Sequence, residues 1–434
     1  MIDKELVKRY IVEFSKKNFS DVKRREIKVE FIKGKALCIV GPRRVGKTYF
    51  LFSLMMNLEN KLYVDFEHPV FYNVSPKDII HIIDSYFELY PEREKLYVFL
   101  DEVQAVEDWE RIVRYLLDKG FYVAVTGSSS KLMSHEIATH LRGRSITYYL
   151  LTLSFREVLN FKNVEYRGEN FYLNYSKIKG LISEYLKYGG YPEVILYDAK
   201  ERILKEYLNL IIKRDIIERY NIRNKHLINE LIYFAINNYS RYISYDSLLK
   251  LFKQRLNVTK RTIINYLSYF EDSMLFFFLR RFESSIKSRI ASPRKIYLID
   301  TGFGIFGNKS ISRDMENTVF LELLRRKYYF NPLYEIYYFK DPQGHEVDFV
   351  VKEGNKVKEC INVTYASDFD EINKREWRSL LKAKEALGCS KLTIVTWDYE
   401  DRRELSWFGR RGEISFIPLW KWLLQIPSKE RKKY

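Results

Sequence analysis

The chain has 434 residues, which at about 150 residues per domain predicts about three domains. Apolar residues make up 46% of it and charged residues 30%, a balance that excludes a largely disordered or a collagen-like chain. Lysine and arginine (74) outnumber aspartate and glutamate (57), and the net charge of +17 makes nucleic acid the first acidic partner to consider.

The three cysteines, Cys38, Cys360 and Cys389, lie far apart and form no CxxC pair. The sequence therefore predicts neither a disulfide framework nor a structural zinc site. Residues 1–31 are charged throughout and lack the apolar core of a signal peptide, and no uncharged apolar run reaches the roughly 18 residues of a membrane span. We expect a cytoplasmic protein without a membrane partner.

Short apolar runs alternate with helix-like stretches between residues 36 and 151. The runs are Ala36–Val40, Leu62–Phe66, Leu96–Leu100, Phe121–Thr126 and Ile146–Leu151. Continuous apolar strands separated by helices are typical of a parallel sheet that is covered on both faces. The first part of the chain is therefore predicted to have an α/β fold.

Three further segments are predicted after this sheet. Residues 155–224 are mainly helical and are interrupted by the turn signal Gly189-Gly190-Tyr191-Pro192. Residues 225–300 are predicted to form three helices followed by two strands, an order that suits a winged helix-turn-helix. The remaining elements are predicted as a helix at 314–326, strands at 335–340, 346–351 and 356–365, a helix at 371–387 and a strand at 391–397.

The strongest motif is Gly41-Pro42-Arg43-Arg44-Val45-Gly46-Lys47-Thr48, which matches GxxxxGK[ST] between an apolar strand and a helical stretch. The glycines allow backbone N–H groups to face phosphates at a helix N-terminus. Lys47 adds a positive charge at the β- and γ-phosphates, and Thr48 adds a hydroxyl for Mg²⁺. A chance glycine-rich turn is the alternative, and the correct spacing and flanks favour a nucleotide site.

Two carboxylates, Asp101 and Glu102, follow the apolar run at 96–100. Open α/β sheets bind their ligands at the carboxyl ends of the strands. There Asp101 would hold the Mg²⁺ shell and Glu102 would orient and deprotonate the attacking water. Acidic pairs also occur simply at helix N-termini, but the phosphate loop upstream favours hydrolysis. No guanine-reading Asn/Thr-Lys-x-Asp motif stands out, so ATP is favoured over GTP.

Two further polar segments are candidates for the same site. Ser128 or Ser129, at the end of the next strand, would contact the γ-phosphate or the attacking water, cap a following helix, or do both. Arg142 and Arg144 follow that helix, and an arginine aimed at the γ-phosphate stabilises the transition state. A solvated basic turn is the alternative for these arginines. An arginine could act within its own chain or on a neighbouring subunit, so a homo-oligomer is one of the expected partners.

The sequence resembles the archaeal-type ATPases of the AAA+ superfamily along nearly its whole length. The motifs that carry this resemblance are GPRRVGKT (41–48), LDEVQ (100–104), TGSSS (126–130), LRGR (141–144), LSFRE (153–157), YGGYPE (188–193), KRDI (213–216) and KIYLIDTG (295–302). The resemblance implies a P-loop ATPase core at 1–155, a helical lid at 156–224, a winged helix at 225–300 and a domain similar to PD-(D/E)XK nucleases at 301–434.

The resemblance also implies a role for each candidate site residue. Lys47, Thr48, Asp101 and Glu102 match the Walker positions. Ser128 or Ser129 matches the sensor position, and Arg142 or Arg144 matches the arginine position.

Basic residues are concentrated in the predicted winged helix. Residues 241–300 contain 12 Lys+Arg and five Asp+Glu, a difference of 12 − 5 = +7. Lys260, Arg261 and Thr262 would open the recognition helix, whose first turn meets phosphates and base edges in helix-turn-helix proteins. Winged helices also serve as packing modules. Both double-stranded DNA binding and packing therefore remain open.

The C-terminal segment departs from the nuclease pattern that it resembles. Asp348 matches the first acidic residue, but Asn362 and Thr364 stand where the second strand should present Glu and Lys. Glu359 shares strand parity with the core-facing Ile361 and Val363, so it is predicted to point to the other face. Glu316 or Glu322 remains on the preceding helix. Because that reaction needs paired carboxylates, a lysine and Mg²⁺, the nuclease site is predicted to be degenerate.

Three functions are consistent with these motifs. The favoured one is an ATP hydrolase whose nucleotide state rearranges a complex bound to DNA or protein. The second is an ATP-dependent switch or scaffold that turns over slowly. The third is an ATP-regulated nuclease, which Asn362 and Thr364 disfavour.

Overall fold

The computed structural model describes residues 2–91, 95–128, 141–253, 258–283 and 285–426. The chain forms two compact units, of which the first ends at Leu151 and the second begins at Thr152. This boundary lies close to the predicted end of the ATPase core at residue 155. The finer division of the second unit into lid, winged helix and C-terminal domain stays a prediction.

The first unit contains a five-stranded sheet. Its strands are β1 (Ala36–Gly41), β2 (Lys61–Asp65), β3 (Tyr97–Asp101), β4 (Tyr122–Ser128) and β5 (Ser145–Tyr149). Their order is β2-β3-β4-β1-β5, and each neighbouring pair is parallel. Every residue of β1 is buried, as expected for a strand covered on both faces. The predicted parallel α/β sheet is therefore confirmed.

Helices of the first unit are α1 (Lys4–Ser15), α2 (Lys47–Met55), α3 (Asp78–Leu89) and α4 (Trp109–Asp118). α1 was not among the predicted elements. It begins after Asp3, whose carboxylate accepts hydrogen bonds from the backbone N–H groups of Glu5 and Leu6. The Lys8 ammonium lies 2.9 Å from a carboxylate oxygen of Glu88, which joins α1 to α3.

The second unit begins with helices. They are α5 (Phe155–Phe161), α6 (Asn170–Leu173), α7 (Tyr175–Tyr188), α8 (Pro192–Leu196) and α9 (Lys200–Leu210), which continues as a π-helix over Ile211–Glu218. The side chains of Ser154 and Glu157 form a capping box that fixes the start of α5. The mainly helical character predicted for this segment agrees with these elements.

Residues 225–300 form helices and a small antiparallel sheet. The elements are α10 (Lys225–Asn237), β6 (Arg241–Ile243), α11 (Tyr245–Lys253), α12 (Lys260–Asp272), β7 (Phe276–Leu279), α13 (Ile286–Ala291) and β8 (Arg294–Leu298). The strand order is β6-β8-β7. This order of elements is compatible with the winged-helix prediction, to which it adds β6 and the short α13.

The last part of the second unit contains a six-stranded mixed sheet. Its elements are α14 (Ile311–Arg325), β9 (Tyr334–Lys340), β10 (Glu346–Glu353), β11 (Lys356–Val363), α15 (Lys374–Leu387), β12 (Leu392–Thr396), β13 (Asp401–Trp407), β14 (Arg410–Pro418) and α16 (Leu419–Leu424). The order is β13-β14-β12-β11-β10-β9, parallel from β14 through β12 to β11 and antiparallel elsewhere. α15 packs on this sheet through buried residues such as Leu380 and Leu381. The hairpin β13–β14 and α16 were not predicted.

The segment after β7 joins the small sheet to the six-stranded one. The backbone N–H of Tyr338 on β9 donates to the Arg280 carbonyl at 3.1 Å, and the Phe282 N–H donates to the Tyr338 carbonyl at 2.7 Å. The Phe282 ring packs against the core of the six-stranded sheet. The predicted winged helix and C-terminal domain are thus connected by backbone hydrogen bonds.

A fully buried ionic cluster connects α5 to α14. Arg156 donates to Glu322 at 2.8 Å, and neither side chain is exposed. Arg325, on the same helix as Glu322, donates to the carbonyl groups of Thr152 and Leu153 at 3.0 Å each.

Among the described helices, none has the length and apolarity needed to cross a bilayer.

Candidate active site

The predicted phosphate loop connects β1 to α2. β1 ends at Gly41 and α2 begins at Lys47, so residues 42–46 form the turn between them. Gly46 has φ 92° and ψ 32°, a left-handed conformation that glycine adopts without strain. Gly46 occupies the N-cap position of α2 and brings no side-chain hydrogen bond to it. The first-turn N–H groups of α2 are therefore placed as a helix-terminal anion site requires.

Lys47 folds back over the loop. Its ammonium donates to the carbonyl oxygens of Gly41 at 3.1 Å and Pro42 at 3.2 Å, and the residue is only 6% exposed. Gly41 is required by packing as well, because a Cβ there would lie 2.3 Å from the Leu150 carbonyl oxygen. A positive charge is thus held beside the loop that the sequence predicted to bind phosphates.

Arg25 braces this loop and was missed by the sequence analysis. Its guanidinium donates to the Val45 carbonyl at 3.1 Å and to the Leu151 carbonyl at 2.6 Å. Arg25 therefore ties the phosphate loop to the segment that follows β5. No motif surrounds Arg25 in the sequence, so only the folded chain identifies this contact.

The carboxylate of Asp101 is 2% exposed and is held by two hydroxyl groups. The Tyr63 hydroxyl on β2 donates to Oδ2 at 2.8 Å, and the Thr126 hydroxyl on β4 donates to Oδ1. Burial and the nearby charge of Asp101 raise the pKa of Tyr63, so its hydroxyl keeps its proton. The strands on both sides of β3 thus fix the orientation of Asp101.

Glu102 adopts an unusual backbone conformation for a residue other than glycine. Its φ is 51° and its ψ is 46°, in the left-handed region. Such strain costs on the order of 1–3 kcal/mol and is common at functional sites. The Glu102 N–H donates to the Thr126 hydroxyl at 3.2 Å, and the Glu102 carboxylate accepts from the Gln104 amide. Thr126 therefore contacts both members of the acidic pair.

Two more carboxylates lie near this pair. Asp65 ends β2 and is the register partner of Asp101. Burial raises the pKa values of Asp65 and Glu67, and the neighbouring Asp101 and Glu102 carboxylates raise them further. The sequence analysis did not select Asp65 or Glu67. Their carboxylates add negative charge where a divalent cation would be favoured.

The strand register brings the predicted site residues to one edge of the sheet. Gly41 at the end of β1 pairs with Ser128 at the end of β4. Asp101 ends β3, which is hydrogen-bonded to β4. The phosphate loop, Asp101 and the backbone of Ser128 therefore meet at the carboxyl edge, where the sequence placed them. Ser129 lies outside the described residues, as does the helix predicted to begin near residue 131.

Arg142 and Arg144 lie at the opposite edge of the sheet. The Ala36 N–H at the start of β1 donates to the Arg144 carbonyl at 2.8 Å, and Ala36 pairs with Ser145. Gly41 lies five residue steps along β1 from Ala36, a distance of about 16 Å at 3.3 Å per step. The Arg144 guanidinium pairs with Asp118 at 2.6 Å. This placement does not fit action on the nucleotide of the same chain; action on a neighbouring subunit stays a prediction.

The donors at this edge suit a magnesium-bound nucleoside triphosphate. Mg²⁺ prefers oxygen ligands and is usually held by one or two carboxylates together with substrate phosphates. Thr48 and Asp101 supply such oxygens, and Lys47 and the α2 N-terminus suit the phosphates. Within the described part of the chain, no group of three or more His, Cys, Asp or Glu residues could hold a metal ion alone. A metal shared with phosphates does not need such a group.

Family models cover most of the chain in three pieces. A model described as an AAA domain matches residues 33–159, which contain the phosphate loop and the acidic pair. Two models described as domains of unknown function match residues 179–307 and 313–420.

Relatives match along the full length. An uncharacterised protein of Methanocaldococcus jannaschii is 35% identical over 98% of this chain and 96% of its own length. The chain belongs to the same family as this relative, and its residues 33–159 match an AAA domain. A second member, from Haemophilus influenzae, is 30% identical over 89% of this chain and 94% of its own. A Walker-type ATPase of Pyrococcus abyssi aligns with 70% of this chain and 95% of its own at 13% identity, with a TM-score of 0.41.

The candidate DNA contacts lie at the start of α12. The Thr259 hydroxyl caps the helix by accepting from the Thr262 N–H at 3.2 Å. Lys260 and Arg261 are exposed, and the Lys260 ammonium lies 2.6 Å from Asp246. The three predicted residues thus share the first turn of one helix. Part of the local positive charge is neutralised by that pair.

The candidate nuclease residues surround a lysine. Lys295 on β8 is 3% exposed, and its ammonium lies 2.8 Å from Asp348, 2.8 Å from Glu346 and 3.1 Å from Glu316. Asn362 faces the same group, because its amide oxygen accepts from the Asp348 N–H at 3.0 Å. Lys295 was counted among the basic residues of the predicted winged helix. This buried and paired lysine cannot serve as a DNA contact.

Glu322, the alternative acidic residue on α14, does not belong to this group. It lies in the buried cluster with Arg156 and Arg326, at 2.8 Å and 3.3 Å. The arginine charges lower the pKa of Glu322 despite its burial. Of the two candidates on α14, only Glu316 contacts the lysine beside Asp348.

Proposed function

We propose that this AAA ATPase binds Mg²⁺–ATP at the carboxyl edge of its parallel sheet, hydrolyses it, and uses the nucleotide state to rearrange a complex bound to DNA or protein. The single observation that carries the catalytic part is the meeting of the phosphate loop, Asp101 and Glu102 at one edge of the sheet. The family relationship supports the ATPase assignment.

In this proposal the loop residues 41–48 wrap the phosphates. Lys47, which the loop carbonyls already hold in place, turns its ammonium toward the β- and γ-phosphate oxygens. Magnesium bound with the nucleotide would neutralise phosphate charge. Thr48 and Asp101 are the residues that would hold it, Asp101 in an orientation set by Tyr63 and Thr126.

Glu102 is the proposed general base. It directly follows Asp101, and its left-handed backbone ends the extended conformation of β3 at this residue. The Gln104 amide contacts the Glu102 carboxylate, so Gln104 is placed to orient it. A carboxylate there would accept a proton from the water that attacks the γ-phosphate. Ser128 or Ser129 would serve as the sensor.

Two variants test this assignment, one at the nucleotide-binding step and one at the hydrolysis step. We expect Lys47→Ala to lose binding of a fluorescent ATP analogue, because the phosphate charge loses its partner. We expect Glu102→Gln to keep binding and to lose turnover by about 100-fold or more, because the base is gone. Glu107→Gln, an exposed acidic residue nearby, is the matched control. Turnover like that of the wild type in both site variants would refute the proposal.

DNA is the proposed polyanionic partner of the predicted winged helix. The support is the net charge of +17 and the exposed Lys260 and Arg261 on the first turn of α12. We expect the affinity for duplex DNA to fall steeply between about 50 and about 200 mM salt. The double variant Lys260→Glu/Arg261→Glu should bind more weakly. Its slope of log affinity against log salt concentration should be shallower by one to two, roughly one for each phosphate that the variant no longer binds. Charge reversal of the exposed Lys33 and Lys35 is the control. An unchanged slope in the α12 variant would favour a packing role.

A slow ATP-dependent switch is the second candidate. ATP turnover measured with and without single- and double-stranded DNA distinguishes this switch from the proposed ATP hydrolase. A hydrolase that rearranges a complex cycles repeatedly and is stimulated by its substrate, whereas a switch need not be. Determining the mass in parallel tests whether Arg142 or Arg144 can act on a neighbouring subunit.

A further inference from the structure

Tyr63 contacts the carboxylate that is proposed to hold magnesium, although it belongs to none of the nucleotide-binding motifs. It lies on β2, the strand at the sheet edge next to β3. Its hydroxyl donates to Asp101 Oδ2 at 2.8 Å, and only 6% of the residue is exposed. The contact joins residues 38 positions apart.

The Tyr63 ring is held by two other aromatic rings. Phe14 on α1 stacks on it with ring centroids 4.4 Å apart and an interplanar angle of 14°. Phe52 on α2 meets it edge-on at 5.3 Å. The helix that follows the phosphate loop and the N-terminal helix therefore both restrict the position of this hydroxyl.

We propose that Tyr63 is a positioning residue for magnesium binding: its hydroxyl fixes the Asp101 carboxylate so that this group can hold the metal or its water ligands. This inference rests on the proposed function. Each carboxylate oxygen has more than one lone pair, so Oδ2 can accept from Tyr63 and still face a water ligand. Residues that bond a metal-ligating carboxylate change metal affinity or activity by about 10- to 100-fold when they are removed.

If Tyr63 has a purely structural role, a different result is expected. If Tyr63 only satisfied a buried carboxylate, its loss would lower stability and leave the magnesium dependence of nucleotide binding unchanged. Tyr63→Phe keeps the ring contacts with Phe14 and Phe52 and removes only the hydroxyl. Thr126 still donates to the other Asp101 oxygen in this variant.

The test measures the affinity of a fluorescent ATP analogue during Mg²⁺ titration and in excess chelator. For Tyr63→Phe we expect wild-type affinity in chelator and a Mg²⁺ midpoint raised about tenfold. The matched control is Tyr97→Phe, at the start of β3, whose ring stacks on Tyr122 at 4.9 Å. A midpoint for Tyr63→Phe equal to that of Tyr97→Phe would overturn the inference.

A second variant keeps the inference testable if Tyr63→Phe does not fold. Phe14→Leu loosens the ring without removing the hydroxyl, and we expect a smaller shift of the Mg²⁺ midpoint in the same direction. If Tyr63→Phe does not fold and the Mg²⁺ midpoint of Phe14→Leu equals that of the wild type, the inference is overturned. Wild-type protein that binds no Mg²⁺–ATP would refute the proposed function itself, and the inference with it.

Discussion

The Lys295 ammonium lies 2.8 Å from a carboxylate oxygen of Asp348, although the two residues belong to different sheets. Glu316 and Glu346 contact the same ammonium. In a nuclease of the resembled type, a divalent cation would neutralise carboxylates at such a position. Here a lysine from the small sheet neutralises them, which joins the two sheets by ionic contacts and occupies the centre of the group.

Removing this lysine should strongly destabilise the second unit. In Lys295→Met three carboxylates lose their buried counter-charge, and we expect the free energy of unfolding to fall by about 3–5 kcal/mol. Lys358→Met, whose ammonium pairs with Glu353 and whose side chain is 46% exposed, should cost far less, because exposed ion pairs contribute little to stability. Denaturant unfolding of both variants measures the difference, and equal losses would contradict a structural role for Lys295.

The same geometry predicts that the chain does not cut DNA. Because the Lys295 ammonium already neutralises Asp348, Glu346 and Glu316, a metal ion would have to displace it before binding there. Plasmid incubated with the protein and Mg²⁺ or Mn²⁺ should stay supercoiled. Cleavage that Asp348→Ala abolishes would show that the site is active.

Thr126 should matter for turnover through its hydroxyl. Thr126→Val removes the hydrogen bonds to Asp101 and to the Glu102 N–H while it keeps the side-chain shape. We expect kcat to fall by about 10- to 100-fold. Thr126→Ser, which keeps the hydroxyl, should restore most of it, and Thr147→Val on β5 serves as the control. Equal activity of the Val and Ser variants would argue against this role.

Glu376 should make stability depend on pH. Burial, together with the charge of Asp348, raises its pKa to about 8, and the Asn362 amide donates to it at 3.0 Å. The folded state therefore keeps a proton that the unfolded state releases near pH 4.3 or above, roughly the ordinary glutamate pKa, so stability falls as the pH rises toward about 8. We expect Glu376→Gln to melt like the wild type near pH 4.5 and at a higher temperature near pH 8.5, roughly the two ends of that titration. Glu385→Gln, which removes an exposed partner of Arg410, should not change this dependence.

The proposed catalytic edge of the sheet could be predicted because its sequence signals are local. The spacing from Gly41 to Thr48 and the position of Asp101 after an apolar run each specify a strand end, and parallel strands bring such ends together. The position of Arg144 was also predictable from the direction of the parallel strands, because Arg144 directly precedes β5. A turn that precedes a parallel strand lies at the amino edge, away from the phosphate loop.

The residues that the sequence could not identify act across long sequence separations. Tyr63, Arg25 and Lys295 reach partners 38, 126 and 53 positions away. Nothing in their neighbouring residues distinguishes a buried tyrosine that bonds a carboxylate from one that only fills the core. Asn362 and Thr364 predict a departure from the nuclease pattern, and the lysine that contacts Asp348 lies on another sheet.

The backbone bonds between residues 280–282 and β9 also lie at an edge of the six-stranded sheet, where exposed strands favour self-association. They cover the outer edge of β9, where unpaired N–H and C=O groups would otherwise invite a strand from another molecule. At the other end of the sheet, β13 points Arg402 and Glu404 outward, and such charges oppose edge-to-edge pairing. Loss of the backbone bonds at 280–282 should therefore make association through the edge of β9 more favourable.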